Sequence, residues 1–424
     1  MNALDKADPH KWHGQDTIWL LGMFGTAIGA GVLFLPINAG IGGLWPLLIV
    51  TALAFPITYF AHRALARFVG AADRADEGIV GVVAEYFGPT ASKVFTLVYF
   101  FAIYTILLMY AVAITNTAIS FMVHQLHLAE PSRALVAMVL ILGLMAIVRL
   151  GQSLIMRIMS WLTYPFIASL WFMGLYLIPQ WNGAIFQEGA AASIGATGSG
   201  VVMTLWMAFP VLVMSFNHYP IISPFVVAQR QRYGKASSDA KCRQIQRYSY
   251  LLMVTTVLFF VYSCILSVSP AGLAEAKQQN ISILSYLANH FDTPILSYLA
   301  PMIAFVAITK SFLGHYVGAY DAMREIVLGV GASRQKTLST VAVNRIIFVF
   351  MIVTCWVMAY FNPSILTIIE RISGPTGAVI LLLLPMYAIH KLPALAAYKG
   401  RMSNVFVTVI GLVTVSAIFY GMFV

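Results

Sequence analysis

Apolar residues run in blocks of about twenty along this chain, separated by short polar and basic segments. A block of that length matches the thickness of a bilayer core crossed by a helix. The pattern predicts eleven spans: 17–38, 44–67, 92–122, 134–150, 155–179, 200–226, 247–270, 295–323, 339–360, 375–390 and 403–424. The segment 76–89 reads as a short surface helix, and 281–287 as an apolar helix too short to span. The latter either caps a vestibule or lies on lipid.

Composition narrows the class. Of 424 residues, 60% are hydrophobic and 9% charged, far below the roughly 25% charged of an average soluble domain. Disorder is excluded by the apolar content, and a disulfide scaffold by having only 3 cysteines. The net charge of +10 implies no nucleic acid, because the basic residues sit in short blocks between spans. With the N-terminus placed inside, only Arg133, Lys277 and Arg371 fall outside, and Lys310 falls within a span; the other 21 basic residues lie inside. That asymmetry sets the N-terminus in the cytoplasm and the C-terminus outside. No cleavable leader is expected, since residues 1–15 are polar and mixed in charge.

Two spans carry breaks. The first contains Thr26-Ala27-Ile28-Gly29-Ala30-Gly31 followed by Pro36; each glycine costs about 1 kcal/mol in a helix relative to alanine. Close packing through Gly25-x-x-x-Gly29 is the alternative use of such residues. The sixth contains Ser215-Phe216-Asn217-His218-Tyr219 between Pro210 and Pro220. Breaks five spans apart place the halves 17–179 and 200–390 in opposite topology, with 403–424 appended. Paired interruptions of this kind point to a transporter site. Unwound backbone at membrane depth is tolerable only beside a cavity or ligand. Bare N–H groups at the first break suit a carboxylate, and carbonyls with Asn217 suit an ammonium group, so a zwitterionic amino acid fits.

Gly25 to Pro36, Ser215 to His218, Asn280 to His290 and Ile308 to Tyr316 carry a resemblance to the hydroxy and aromatic amino acid permease family of bacterial inner membranes, chiefly its proton-coupled serine and threonine branch. The resemblance implies an all-α, leucine-transporter-like five-plus-five fold with an eleventh helix, within the wider amino acid–polyamine–cation superfamily. It implies a symporter for a neutral amino acid, most simply serine or threonine. Tyr219 departs from the small residue of the serine branch and keeps an aromatic substrate such as tryptophan open.

Lys310 lies about fifteen residues from either end of its span, where a cation costs at least ~2.5–3.5 kcal/mol. The resemblance puts it where a sodium ligand would sit. Its ammonium is expected to replace sodium, bonding carbonyls near Gly25 and Ile28, with Ser311 beside it; a static structural cation is the alternative. Proton coupling is therefore expected, sodium disfavoured, and no cofactor or metal implied. His218 is a second candidate proton carrier. Tyr104 on the third span is a candidate substrate contact. Asn116 and Thr115 are expected to bond between helices, His315 to be structural, and Asp16 to be an N-cap. No motif of a membrane enzyme or nucleotide-driven pump is present.

Overall fold

The structure, a computed structural model of the chain, describes residues 8–41, 43–149, 152–186, 203, 206, 209–210, 212–291, 293–333, 339–368 and 373–423. Of these, 30, 44, 46, 152–158, 330–333 and 421–423 are described by backbone alone. The described residues form helices and no strand. Among the described residues, seven helices are long and apolar enough to cross a membrane, and a bent pair in the first expected span counts as an eighth when its two pieces are taken as one span. Arg133–Val148 is a shorter apolar helix. Residues 187–202, linking the two expected halves, lie outside the described set, as do 204–205, 207–208 and 211 of the sixth expected span.

Both expected breaks are present. Helix α1 (Gly14–Ala27) stops where Ile28 turns extended at φ −89 and ψ 95, and α2 (Ala30–Ile41) resumes at 52° to it. Asp16 is not the N-cap. The helix begins two residues earlier, and the Asp16 carboxylate accepts instead from the His13 backbone N–H at 2.9 Å. In the sixth expected span, residues 212–215 are helical, Phe216 to His218 leave the helix, and α7 (Tyr219–Ser267) begins. Asn217 Oδ1 accepts from Tyr219 N at 3.1 Å, so the polar side chain satisfies the first donor of the new helix.

Each broken segment is followed by a glycine in the left-handed region. Gly43 (φ 82, ψ −165) precedes α3 (Leu44–Gly70), and Gly234 (φ 77, ψ 167) kinks α7 before its long apolar half. Only glycine takes such angles without strain from a Cβ. The expected loop between the sixth and seventh spans is thus helical, bent at one residue. Gly88 (φ 85) makes a similar joint in α4 (Ile79–Ser120), between the surface helix expected over 76–89 and the third span.

The rest of the bundle is α5 (Arg133–Val148), α6 (Gln152–Tyr176), α8 (Pro270–Gln278), α9 (Ile283–His290), α10 (Pro294–Ser333), α11 (Thr340–Phe361), α12 (Ile365–Ile368), α13 (Gly374–Ala378), α14 (Leu384–Lys391) and α15 (Met402–Phe423). A π-helical turn, Val379–Leu383, joins α13 to α14, so the short tenth expected span is one distorted helix. Helix α1 packs against α6, α7 and α10, and α10 against α4. Helix α9 buries Ile283, Leu284, Tyr286 and Leu287 against α10 and α2. Its packing is that of a cap over the bundle, not of a helix lying on lipid.

Candidate functional site

The two breaks meet. A Cβ built on Gly31 would stand 3.4 Å from the Ser215 Cα and 3.5 Å from the Met214 carbonyl oxygen. Beside that contact lies a cavity of about 20 Å³, the space of about one water, lined by Ala27, Gly31, Tyr110, Ser215, Asn217 and His315, with Phe34, Met109, Met214 and Ser373 among the remaining walls. Its polar borders come from both interrupted helices. In the first turn of α2, Val32 N–H and Leu33 N–H donate to the Gly29 carbonyl at 3.1 and 3.2 Å. Only the N–H groups at the very start of the helix, at Ala30 and Gly31, therefore have no preceding helical carbonyls to bond, and Asn217 projects beside the end of the 212–215 turn.

The other expected residues of the first break hold the architecture around this space. Thr26 Oγ1 donates to the Gly22 carbonyl of its own helix at 2.9 Å. The Ile28 carbonyl accepts from Ser311 Oγ at 3.2 Å, a direct tie between α10 and the break. At Gly29 a Cβ would fall 2.2 Å from Ser311 Oγ and 2.7 Å from Tyr110 Oη, so only glycine allows α10 and α4 this close. Ala30 opens α2, and its side chain lies outside the described set.

Lys310 is fully buried among α1, α6 and α10. Its Nζ sits 4.1 Å from the centroid of the Phe166 ring and 3.6 Å from where a Gly25 Cβ would be. It does not bond the carbonyls expected for it: Nζ has no hydrogen-bond partner among the described residues. Ser311 takes the Ile28 carbonyl instead, because the hydroxyl is short enough to reach the break while the lysine stem carries its ammonium past it to the α6 ring. Thr163 and Phe166 thus bring the fifth expected span into this cluster, which the sequence pattern did not suggest.

Tyr104 does not line the cavity. Its hydroxyl bonds Thr354 on α11, and its ring stacks on Phe100 and Phe350 at 4.9 and 5.5 Å. Tyr110 is the tyrosine of α4 that faces the site. Six residues of helix turn the side chain through about 600°, which puts the two on different faces. His315, expected to be structural, borders the cavity and bonds the Ser311 carbonyl through Nδ1 at 2.9 Å.

His218 and Tyr219 also lie behind the cavity wall. The Tyr219 ring is buried 5.7 Å from Tyr99 and is not among the lining residues. The His218 ring stacks on His62 of α3, centroids 3.8 Å apart and 5° between planes, under Tyr250. His62 Nε2 accepts from the His218 backbone N–H at 3.2 Å, which assigns the His62 proton to Nδ1, facing the Thr58 carbonyl at 2.8 Å. His218 Nδ1 likewise faces the Phe216 carbonyl at 2.9 Å, leaving its Nε2 buried without a partner among the described residues. The sequence did carry a signal for His62. A histidine inside an apolar span is costly unless paired.

Asn116 bonds between helices as expected: its Nδ2 donates to the Asn280 carbonyl at 2.7 Å and to Asn362 Oδ1 at 3.0 Å. Thr115 Oγ1 bonds the Ala111 carbonyl of its own helix.

With these features in place, the sequence matches the tryptophan/tyrosine permease family over residues 19–422. The chain belongs to that family. The permease is 55% identical to the serine transporter SdaC of Escherichia coli strain K12 over 412 residues, covering 97% of this chain and 96% of the relative. It is 45% identical to the threonine/serine transporter TdcC of Escherichia fergusonii over 433 residues, covering 99% and 98%. Among solved structures it resembles MhsT in complex with L-phenylalanine, with TM-score 0.60, 14% identity, and coverage of 97% of this chain and 99% of that one. That likeness concerns the fold alone, and it places the permease beside leucine-transporter-like bundles. It is a permease and not an enzyme.

Proposed function

We propose that this permease is a proton-coupled symporter that imports serine or threonine across the bacterial inner membrane by alternating access. The observation that carries the reading is the junction of two interrupted helices at one cavity. The substrate carboxylate docks on the N–H groups at the start of α2, at Ala30 and Gly31, where the helix dipole favours it. Its ammonium meets carbonyls at the ends of α1 and the 212–215 turn, with Asn217 beside them. Relatives of 55% and 45% identity named as serine and threonine/serine transporters support the substrate class. Tryptophan is the weaker reading, because Tyr219, its main sequence motive, packs on Tyr99 behind the wall.

In this reading the chain has eleven spans, with 17–179 and 200–390 as inverted halves and 403–424 appended. The matched pattern of break, short helix and left-handed glycine at Gly43 and Gly234 supports the repeat. The basic-residue asymmetry supports a cytoplasmic N-terminus.

Lys310 is the coupling group, exchanging a proton at Nζ as the bundle rocks. Its burial without a hydrogen-bond partner among the described residues, against Gly25 and Phe166, supports a site where gaining or losing charge changes the packing of α1 on α10. Sodium has no role in this mechanism, and no resident cofactor takes part. Uptake of labelled serine into proteoliposomes tests the reading. An inward proton gradient in sodium-free buffer should drive accumulation, and a protonophore should abolish it. Lys310→Met should bind serine but only equilibrate it. Accumulation that requires sodium, or that survives Lys310→Met, defeats the coupling. Failure of unlabelled serine and threonine to compete defeats the substrate assignment.

A further inference from the structure

A second cavity, sharing no lining residue with the transport site, lies where α3 ends against the kinked part of α7 and the turn Pro393–Tyr398. It measures about 370 Å³. Its polar lining includes Arg67, Lys235, Ser238, Asp239, Gln246 and Tyr398, and Ala66, Val226 and Leu395 make it apolar elsewhere.

Arg67 is the key group. Its side chain is 4% exposed, and its guanidinium carbon stacks 4.1 Å above the centre of the Tyr398 ring. Arg401 covers the same ring at 5.1 Å. Asp239 Oδ1 stands 3.6 Å from Arg67 Nε, close enough for attraction and too far for a hydrogen bond. Nε and Nη2 of Arg67 have no hydrogen-bond partner among the described residues, nor does Gln246 Oε1. A buried guanidinium with open N–H groups is costly, and a paired oxyanion relieves that cost. Arg67 and Lys235 line the cavity with one carboxylate, Asp239, Arg401 adds a charge over the Tyr398 ring, and Lys235 pairs with the exposed Asp73 at 3.3 Å. A positive surplus therefore remains.

We propose that this cavity binds a phosphoryl oxyanion, held by the open fork of Arg67, with a ligand hydroxyl or protonated phosphoryl oxygen donating to Gln246 Oε1. The organic remainder lies along Ala66, Val226 and Leu395. A basic pocket between spans at the end of the bundle where positive charge gathers suits a lipid headgroup. Free phosphate carries the same chemistry, and the test separates the two sources.

The test uses the full-length purified permease in detergent. Native mass spectrometry measures retention of phosphatidylglycerol against a neutral glycolipid of equal chain length. Thermal unfolding is followed with inorganic phosphate against chloride at equal ionic strength. Retained phosphatidylglycerol, reduced about tenfold in Arg67→Gln and in Ala394→Glu, supports a lipid site. Ala394 lines the cavity from an exposed position, so its glutamate repels the anion without removing the stacked arginine; it serves as the check should Arg67→Gln not fold. Stabilisation by phosphate that both variants abolish, without selective lipid retention, supports a free-phosphate site. Binding of either probe that Ala394→Glu leaves unchanged, or no binding of either, overturns the proposal.

Discussion

The ammonium of Lys241 lies 2.9 Å from the Asp16 carboxylate, with both side chains fully buried. Tyr233 donates to the other carboxylate oxygen at 2.8 Å, and Lys241 also donates to the Lys11 carbonyl at 2.6 Å. The pair fastens the entry to α1 onto α7, beside the half-helix of the second break. Removing one partner of a buried pair leaves an uncompensated charge and costs about 3–5 kcal/mol. Asp16→Asn and Lys241→Met should each lower the thermal unfolding midpoint in detergent by an amount in keeping with that cost. The double variant should recover most of the loss. Independent, additive losses would show that the two side chains do not act as a pair.

His62 supplies the acceptor for a backbone N–H at the second break. Without it the His218 amide is buried and unpaired, a loss of roughly 1–3 kcal/mol. His62→Ala should speed hydrogen–deuterium exchange in peptides covering 216–219 and leave exchange around Gly29 unchanged. Unaltered exchange at 216–219 would mean that this histidine does not hold the break.

Gly29 fits only because nothing projects from it. In Gly29→Ala the new Cβ would fall 2.2 Å from Ser311 Oγ and 2.6 Å from Ser311 Cβ. The variant should lose serine uptake, since α10 must back away from the break. Adding Ser311→Gly removes both colliding atoms and should restore a large part of the uptake. Tyr110 Oη, 2.7 Å from the same point, is the end of a side chain and can shift.

Tyr104 and Tyr110 separate a packing role from a site role. Tyr104→Phe removes the bond to Thr354 and should cost about 1 kcal/mol of stability, with the KM for serine unchanged. Tyr110→Phe removes a hydroxyl at the cavity wall and should raise KM or lower uptake without a comparable loss of stability. Paired uptake kinetics and unfolding curves on both variants check this, and the opposite assignment would show in the KM of Tyr104→Phe.

Much of this protein follows from local sequence. Apolar blocks with few charges leave a helical bundle in lipid as the only way to satisfy the backbone. The breaks were visible because glycines, prolines and a Ser-Phe-Asn-His cluster weaken a helix wherever it finally packs. The burial of Lys310 was visible from its depth within an apolar run. Pairing was not visible. His62 meets His218 across 156 residues, Lys310 passes the carbonyls of α1 to reach Phe166 of α6, and Tyr110 rather than Tyr104 faces the cavity. Helical periodicity fixes which residues share a face, but not which way that face turns. That rotation is decided when small residues such as Gly29 and Gly31 let particular helices close on one another, and only the packed bundle contains it.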